Sequence, residues 1–221
     1  MARQAIVIGL GQFGMALARA LTLEGVEVIA IDKSAAHVQE ASGFAAVALR
    51  MDATDEEALA AQAPGQRDIA ICAIGDESRE GSIIVTALLR QLGAPHVIAR
   101  ATDDVSERIL RLVGAHEVLR PERAFGERLA RRLVRADILE EFTLGKELVV
   151  SEVRVRPAMV GRSLAELALP RRFGLTVLGV QTRLDGATTV LLPEPNRPLA
   201  ESDTLLLVGK PGAAHALHGE D

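Results

Sequence analysis

The stretch from Ala5 to Lys33, AIVIGLGQFGMALARALTLEGVEVIAIDK, constrains the fold of this chain more than any other. Ala5-Ile6-Val7-Ile8 is apolar, β-branched and too short for a helix, so it reads as a buried strand. Gly9, Gly11 and Gly14 follow at the spacing G-x-G-x-x-G. From Gln12 to Glu24 the apolar residues recur at helical spacing, and Val26 to Ile31 forms a second apolar run that ends in Asp32. The order is strand, glycine turn, helix, strand, acid.

Each part of that order has a physical reason in a Rossmann-type nucleotide site. Gly9 permits the tight turn out of the strand, and Gly11 lets a pyrophosphate approach the backbone. Gly14 brings the helix close to the strand. The helix start then offers free N–H groups and a partial positive charge to phosphate. Asp32 lies eighteen residues beyond Gly14, close to the roughly 20 expected of an acid that accepts from a ribose hydroxyl. A turn serving packing alone would explain the glycines, but not the strands, helix and acid around them.

The alternation of strand and helix continues. Ser34 caps a helix over Ala35 to Ala41, and Ala45 to Leu49 is a third strand. Thr54 with Glu57 has the form of a capping box for a helix reaching Ala61. Asp68 to Ile74 is a fourth strand, followed by a helix from Glu77 to Leu92 that stops at Gly93. His96 to Arg100, a helix from Asp103 to Val113, and His116 to Leu119 complete six strands. Such a series predicts a doubly wound parallel sheet covered on both faces, with ligand at the carboxyl ends of the strands. The candidate binding residues are those just past each strand: Gly9, Leu10, Gly11, Gln12, Phe13 and Gly14; Asp32 and Lys33; Asp52, Ala53 and Thr54; Ala73, Ile74 and Gly75; Arg100; and Glu122. Asp52 suits an adenine amino group and Arg100 a phosphate.

Pro121 to Arg135 reads as a basic helix carrying Arg123, Arg128, Arg131, Arg132 and Arg135, with Phe125, Leu129, Leu133 and Val134 at helical spacing. It is either a surface helix or one used for crossover or dimerisation. The alternation then stops, which predicts domains at 1–136 and 137–221. The second is a small α+β module: strands at Glu147 to Val155, Leu175 to Val180, Thr188 to Leu192 and Thr204 to Val208, and a short helix at Leu164 to Leu167 capped by Ser163. A polar tail, Lys210 to Asp221, is expected to fray.

Composition excludes several classes. The formal net charge is −5, so no basic excess exists to displace phosphate counterions, and no nucleic-acid partner is expected. A single cysteine, Cys72, rules out an internal disulfide and fits a reducing compartment. No apolar run approaches the ~18 residues of a membrane span, so a cytoplasmic protein without membrane insertion of its own is expected. The five histidines, His37, His96, His116, His215 and His218, form no metal-ligand or catalytic set. A nucleotide site without catalytic residues predicts a sensor rather than an enzyme.

Five segments carry a family resemblance: IGLGQFG (Ile8 to Gly14), AID (Ala30 to Asp32), DAT (Asp52 to Thr54), AIG (Ala73 to Gly75) and RPERAFG (Arg120 to Gly126). Together they resemble the regulators of potassium conductance, the RCK family, in its KtrA/TrkA-type cytosolic form. RRFGLTVLGV, Arg171 to Val180, is similar to the signature of that family's C-terminal domain. The resemblance implies ATP or ADP, or NAD(H), in the first domain, with Glu122 helping to hold Mg²⁺ or Ca²⁺ beside the phosphates. It implies a homodimer that assembles into an octameric ring, peripheral to the membrane beneath an integral potassium-transporting subunit (KtrB/TrkH-like). It also implies cyclic di-AMP in the C-terminal domain, near Pro170, Arg171 and Arg172. Many ATP-responsive members have Arg where this chain has Gln12, which weakens discrimination of ATP from ADP. The alternatives are an NAD(P)-dependent oxidoreductase and an RCK regulator of a different cation channel or antiporter.

Overall fold

The computed structural model describes residues 3–75, 78–134, 137–145, 147–184 and 187–219. Glu77, Arg135 and the chain end at Asp221 therefore lie outside the described residues, as do the side chains of Arg131, Arg132 and His218. The chain divides into two compact units, Met1–Phe125 and Gly126–Asp221. The division falls within one helix, ahead of the change in sequence character at residue 137.

The first unit is a six-stranded parallel sheet. Its strands are β1 (Gln4–Ile8), β2 (Glu27–Asp32), β3 (Val47–Arg50), β4 (Ile69–Cys72), β5 (Val97–Arg100) and β6 (Glu117–Leu119), in the spatial order β3-β2-β1-β4-β5-β6. The order reverses between β1 and β4, which places a cleft at their carboxyl ends. Successive side chains point to opposite faces of a strand, so a continuous apolar strand feeds two cores. Ile6, Ile8, Ile29, Ile31 and Cys72 bury on one face, and Val7, Val28, Ala30, Ile71 and Ala73 on the other. Helices α1 (Gln12–Leu23), α2 (Ala35–Ala41), α3 (Glu56–Ala60), α4 (Arg79–Gln91) and α5 (Asp104–Leu112) connect the strands.

One cap differs from expectation. Asp52 Oδ1 accepts from both the backbone N–H of Thr54 (2.9 Å) and its hydroxyl (2.6 Å). Thr54 is thereby occupied, and α3 is capped by Asp55, which accepts from Ala58 N. The helix starts later than a Thr54 capping box would require. Helix α6 (Pro121–Val134) carries the basic stretch, and its apolar residues Phe125, Leu133 and Val134 are exposed. No helix among the described residues is long and apolar enough to cross a membrane.

The second unit is an antiparallel sheet of β7 (Ile138–Leu144), β8 (Leu148–Arg154), β9 (Thr176–Leu184), β10 (Ala187–Leu191) and β11 (Thr204–Gly209), in the order β10-β9-β11-β8-β7. Strand β7 was absent from the sequence expectation. A register irregularity between Ile138 and Glu140 breaks its alternation. Ser163 and Glu166 form a reciprocal capping box on α7 (Leu164–Leu167), and α8 (Leu169–Phe173) follows. The expected fraying of the tail is corrected. Ala213–Gly219 forms a 3-10 helix whose Ala214 and Leu217 are buried in the core, and Arg156 Nη1 donates to the Leu217 carbonyl.

Candidate nucleotide-binding site

The glycine turn is fixed by backbone geometry. Gly9 has φ +90°, and a Cβ there would lie 2.9 Å from the Ile74 nitrogen. A Cβ on Gly14 would lie 1.9 Å from the Gly9 carbonyl oxygen, so α1 packs directly on the turn. Gly11 differs: its φ is −64° and a Cβ would meet nothing within 4 Å. It is the N-cap of α1, and no side chain caps it. The first turn of α1 thus lacks a side-chain cap, an arrangement that suits an anion.

Asp32 ties this turn to the end of β2. Its Oδ2 accepts from Leu10 N (2.6 Å) and its Oδ1 from Ser34 N (2.7 Å). The carboxylate is thus a structural staple as well as a candidate ribose acceptor. A carboxylate has about four acceptor sites, so two backbone bonds leave capacity for a hydroxyl.

A cavity of about 360 Å³ opens at the reversal between β1 and β4. Such a volume falls within the range of small-molecule sites. Of the residues expected from sequence, Gly9, Gly11, Gln12, Asp32, Lys33, Asp52, Ala53, Thr54, Ala73, Ile74, Gly75 and Arg100 line it. Leu10, Phe13, Gly14 and Glu122 do not. The Leu10 side chain is buried in the core beside Met15 and Val28, with Phe13 packed against the same cluster. Glu122 is exposed and pairs with Arg100 at 2.5 Å. Among the described residues, no three His, Cys, Asp or Glu side chains converge to hold a metal ion.

Sequence reasoning missed one wall. Ser78, Gly81 and Val85 also line the cavity. Ser78 caps α4 and accepts from Gly81 N at 3.1 Å, and Gly81 and Val85 share a helix face at i, i+4. That spacing after a Ser cap is the sequence signal for this wall, which comes from a helix and not from a strand end. Ile8, Ile31 and Met51 complete the apolar lining.

The charged groups sit on opposite sides of the sheet reversal. At the β2–β3 side, Lys33 Nζ lies 3.0 Å from Asp52 Oδ2. The two Thr54 hydrogen bonds and this ammonium hold the Asp52 carboxyl down at about 2, below its ordinary value of 3.8. At the β5 side stands Arg100, its guanidinium 5.7 Å from the centroid of the Phe13 ring. The combination is an anion-seeking helix start, a hydroxyl-seeking acid and an apolar slot between them, which matches an adenine nucleotide in chemistry.

Residues 5–121 match the model of the TrkA-N domain and residues 150–219 that of the TrkA-C domain. The chain is 33% identical to the Ktr system potassium uptake protein A of Vibrio alginolyticus, over 94% of this chain and 92% of that protein. It is 30% identical to the Ktr system potassium uptake protein C of Bacillus subtilis (strain 168), over 95% and 93%. Among solved structures, a GsuK channel bound to NAD superposes with a TM-score of 0.65 at 20% identity. That match covers 99% of this chain but 39% of the channel chain, and it speaks to the fold alone.

Proposed function

Because the chain belongs to the regulator-of-potassium-conductance family, with the Ktr potassium uptake proteins among its relatives, we propose that it is a nucleotide-sensing regulatory subunit of a membrane potassium-uptake system. ATP or ADP occupies the cavity of the first unit. The observation that carries this reading is the open, uncapped start of α1 at Gly11 opposite the acid Asp32. NAD(H) contains the same adenine, ribose and pyrophosphate, and one similarly folded structure is a GsuK channel bound to NAD. These named relatives are potassium uptake proteins.

In this reading the protein does no covalent chemistry. Gly9, Gly11 and the α1 backbone hold phosphate, Asp32 accepts from ribose, and the Lys33–Asp52 pair borders the adenine. A nucleotide shifts the protein between conformations only through its different affinity for each. A membrane potassium-transporting partner reads that shift, which places the protein at the inner face of the membrane. The exposed apolar residues Phe125, Leu133 and Val134 of α6 support self-association into a dimer, the unit of the ring.

The test is calorimetric titration of the purified protein with ATP, ADP, NAD and NADH, each also with Gln12→Arg. Saturable binding of ATP or ADP is expected. The ATP-to-ADP preference should be smaller in the natural protein than in Gln12→Arg, since charge-assisted bonds to phosphate are about twice as strong as neutral ones. Binding of NADH alone, or of no nucleotide, overturns the reading.

A further inference from the structure

Two stacked histidines sit at one edge of the parallel sheet, at the strand ends away from the cavity. His96 precedes β5 and His116 precedes β6, and their ring centroids lie 5.5 Å apart with the planes inclined by 17°. Strand β6 is three residues long and has β5 as its one neighbour in the sheet. His116 extends that pairing by one residue. Its backbone N–H donates to the Val97 carbonyl, and its ring Nδ1 accepts from Val97 N, both at 2.8 Å. Val97 is wholly buried, so no water stands in for the ring as acceptor. An N–H can only donate, so this bond exists only while Nδ1 keeps its lone pair. The neutral ring then carries its proton on Nε2, and Nη1 of Arg90 on α4 stands 2.9 Å from that nitrogen. A guanidinium also only donates. His116 is therefore satisfied on one side and opposed on the other.

We propose that His116 is a proton-operated latch: neutral, it fastens β6 to β5; protonated, it releases the start of β6, the strand that leads into α6. An imidazolium offers Val97 N–H no acceptor, and it sets a positive charge against Arg90 and the stacked ring of His96. Partial desolvation of the ring, and then the charges of Arg90 and His96, hold its pKa below the ordinary 6.5. The fastening is thus intact above pH 6.5 and is lost as the pH falls below it. The other charged groups on the elements around it are engaged: Glu117 of β6 faces His96 at 3.9 Å, and Arg111 of α5 pairs with Glu107. At its far end β6 stays tied by Ala101 N, which donates to the Leu119 carbonyl at 2.8 Å, so protonation frees the start of the strand. A short strand at a sheet edge is the kind of element that opens locally. The latch does not depend on the nucleotide reading. It gives the fold a response to acid at the opposite strand ends from the cavity, two residues ahead of α6.

The experiment is hydrogen exchange of the Val97 amide in the full chain, read by NMR from about pH 7.5 to about pH 5, a range that spans the titration of an imidazole. Residue 116 is not a chain neighbour of Val97, so the intrinsic exchange rate cancels when variants are compared at one pH. His116→Asn supplies an amide oxygen as acceptor and does not titrate. The ratio of the natural rate to the His116→Asn rate should rise about fivefold or more on acidification, the fold-change of one lost hydrogen bond. The Val7 amide of central β1 should show no such rise, which separates local release from unfolding. Arg90→Gln removes the opposing charge, so its acid acceleration at Val97 should be smaller than the natural one. A ratio that stays constant with pH overturns the proposal, and so does a rise at Val7 that matches the rise at Val97. Should His116→Asn fail to fold, Arg90→Gln decides: an acid acceleration as large as the natural one overturns the latch.

Discussion

Gly11 and Gly14 lie three residues apart, yet the structure gives them opposite jobs, and alanine at each separates the two. A Cβ on Gly14 would sit 1.9 Å from a backbone oxygen and 3.1 Å from the Ala73 Cβ. Reaching even a 3.0 Å contact requires α1 to move off the turn by at least about 1.1 Å. That movement disturbs the packing of Met15 and Ala18. Overpacking of this kind costs about 1–3 kcal/mol, and a backbone oxygen yields less than a side chain, so Gly14→Ala should cost about 3 kcal/mol. Gly11→Ala meets nothing and has an ordinary φ. Its loss as an N-cap, up to about 1 kcal/mol, is offset by the lower entropy of its unfolded chain. Its methyl group instead occupies the phosphate approach.

The chain has no Trp or Tyr, but its single cysteine, Cys72, is wholly buried in the first unit. Burial pushes its thiol pKa up, so labelling requires that unit to open. Under conditions where opening limits labelling as an equilibrium, about 3 kcal/mol corresponds to roughly a hundredfold faster reaction for Gly14→Ala. Gly11→Ala should label within about threefold of the natural rate and lose about tenfold or more in ADP affinity. Gly14→Ala labelling at the natural rate, or Gly11→Ala labelling as fast as Gly14→Ala, would refute this division of roles.

Asp32→Asn should lower both stability and ADP affinity. The amide cannot accept from both Leu10 N and Ser34 N, and loss of one hydrogen bond to a charged group costs about 1.5–3 kcal/mol; unchanged Cys72 labelling would contradict it. The Asp52 carboxyl is held at about 2 rather than 3.8, so its ionisation stabilises the fold above pH 3.8, and this contribution disappears as the pH falls towards 2. The acid limb of unfolding should therefore flatten in Asp52→Asn, and an unaltered limb would show that Asp52 contributes nothing. In the second unit, Ser163→Ala removes the α7 capping box and should cost about 1 kcal/mol, read from urea unfolding by circular dichroism. An effect below the error of that measurement would mean the cap is redundant.

The first unit was legible because its determinants are local. A buried parallel strand must be apolar throughout, and Gly9 and Gly14 occupy positions where the turn and the helix contact each need glycine. The place of Asp32 at the cavity was legible, but its bond to Leu10 was not, because that bond forms only once β2 returns beside β1. Thr54 does not cap α3 because Asp52, two residues earlier, engages both its N–H and its hydroxyl. Strand β7 escaped because ILEEFTL has adjacent glutamates and an irregular register; its pairing with β8 is what makes it a strand. The tail escaped for a similar reason. Ala214 and Leu217 look isolated in sequence and become core only against the sheet. The wall built by Ser78, Gly81 and Val85 comes from a helix rather than a strand end.

In the proposed function, nucleotide in the Gly11 cavity controls potassium transport. The most direct test is rubidium uptake by potassium-starved cells that lack this chain and are supplied with the natural protein or with Gly11→Ala at equal abundance. The account predicts that the natural protein restores uptake and that the folded Gly11→Ala protein does not. Restoration by both would contradict it, since uptake would then be independent of the nucleotide cavity.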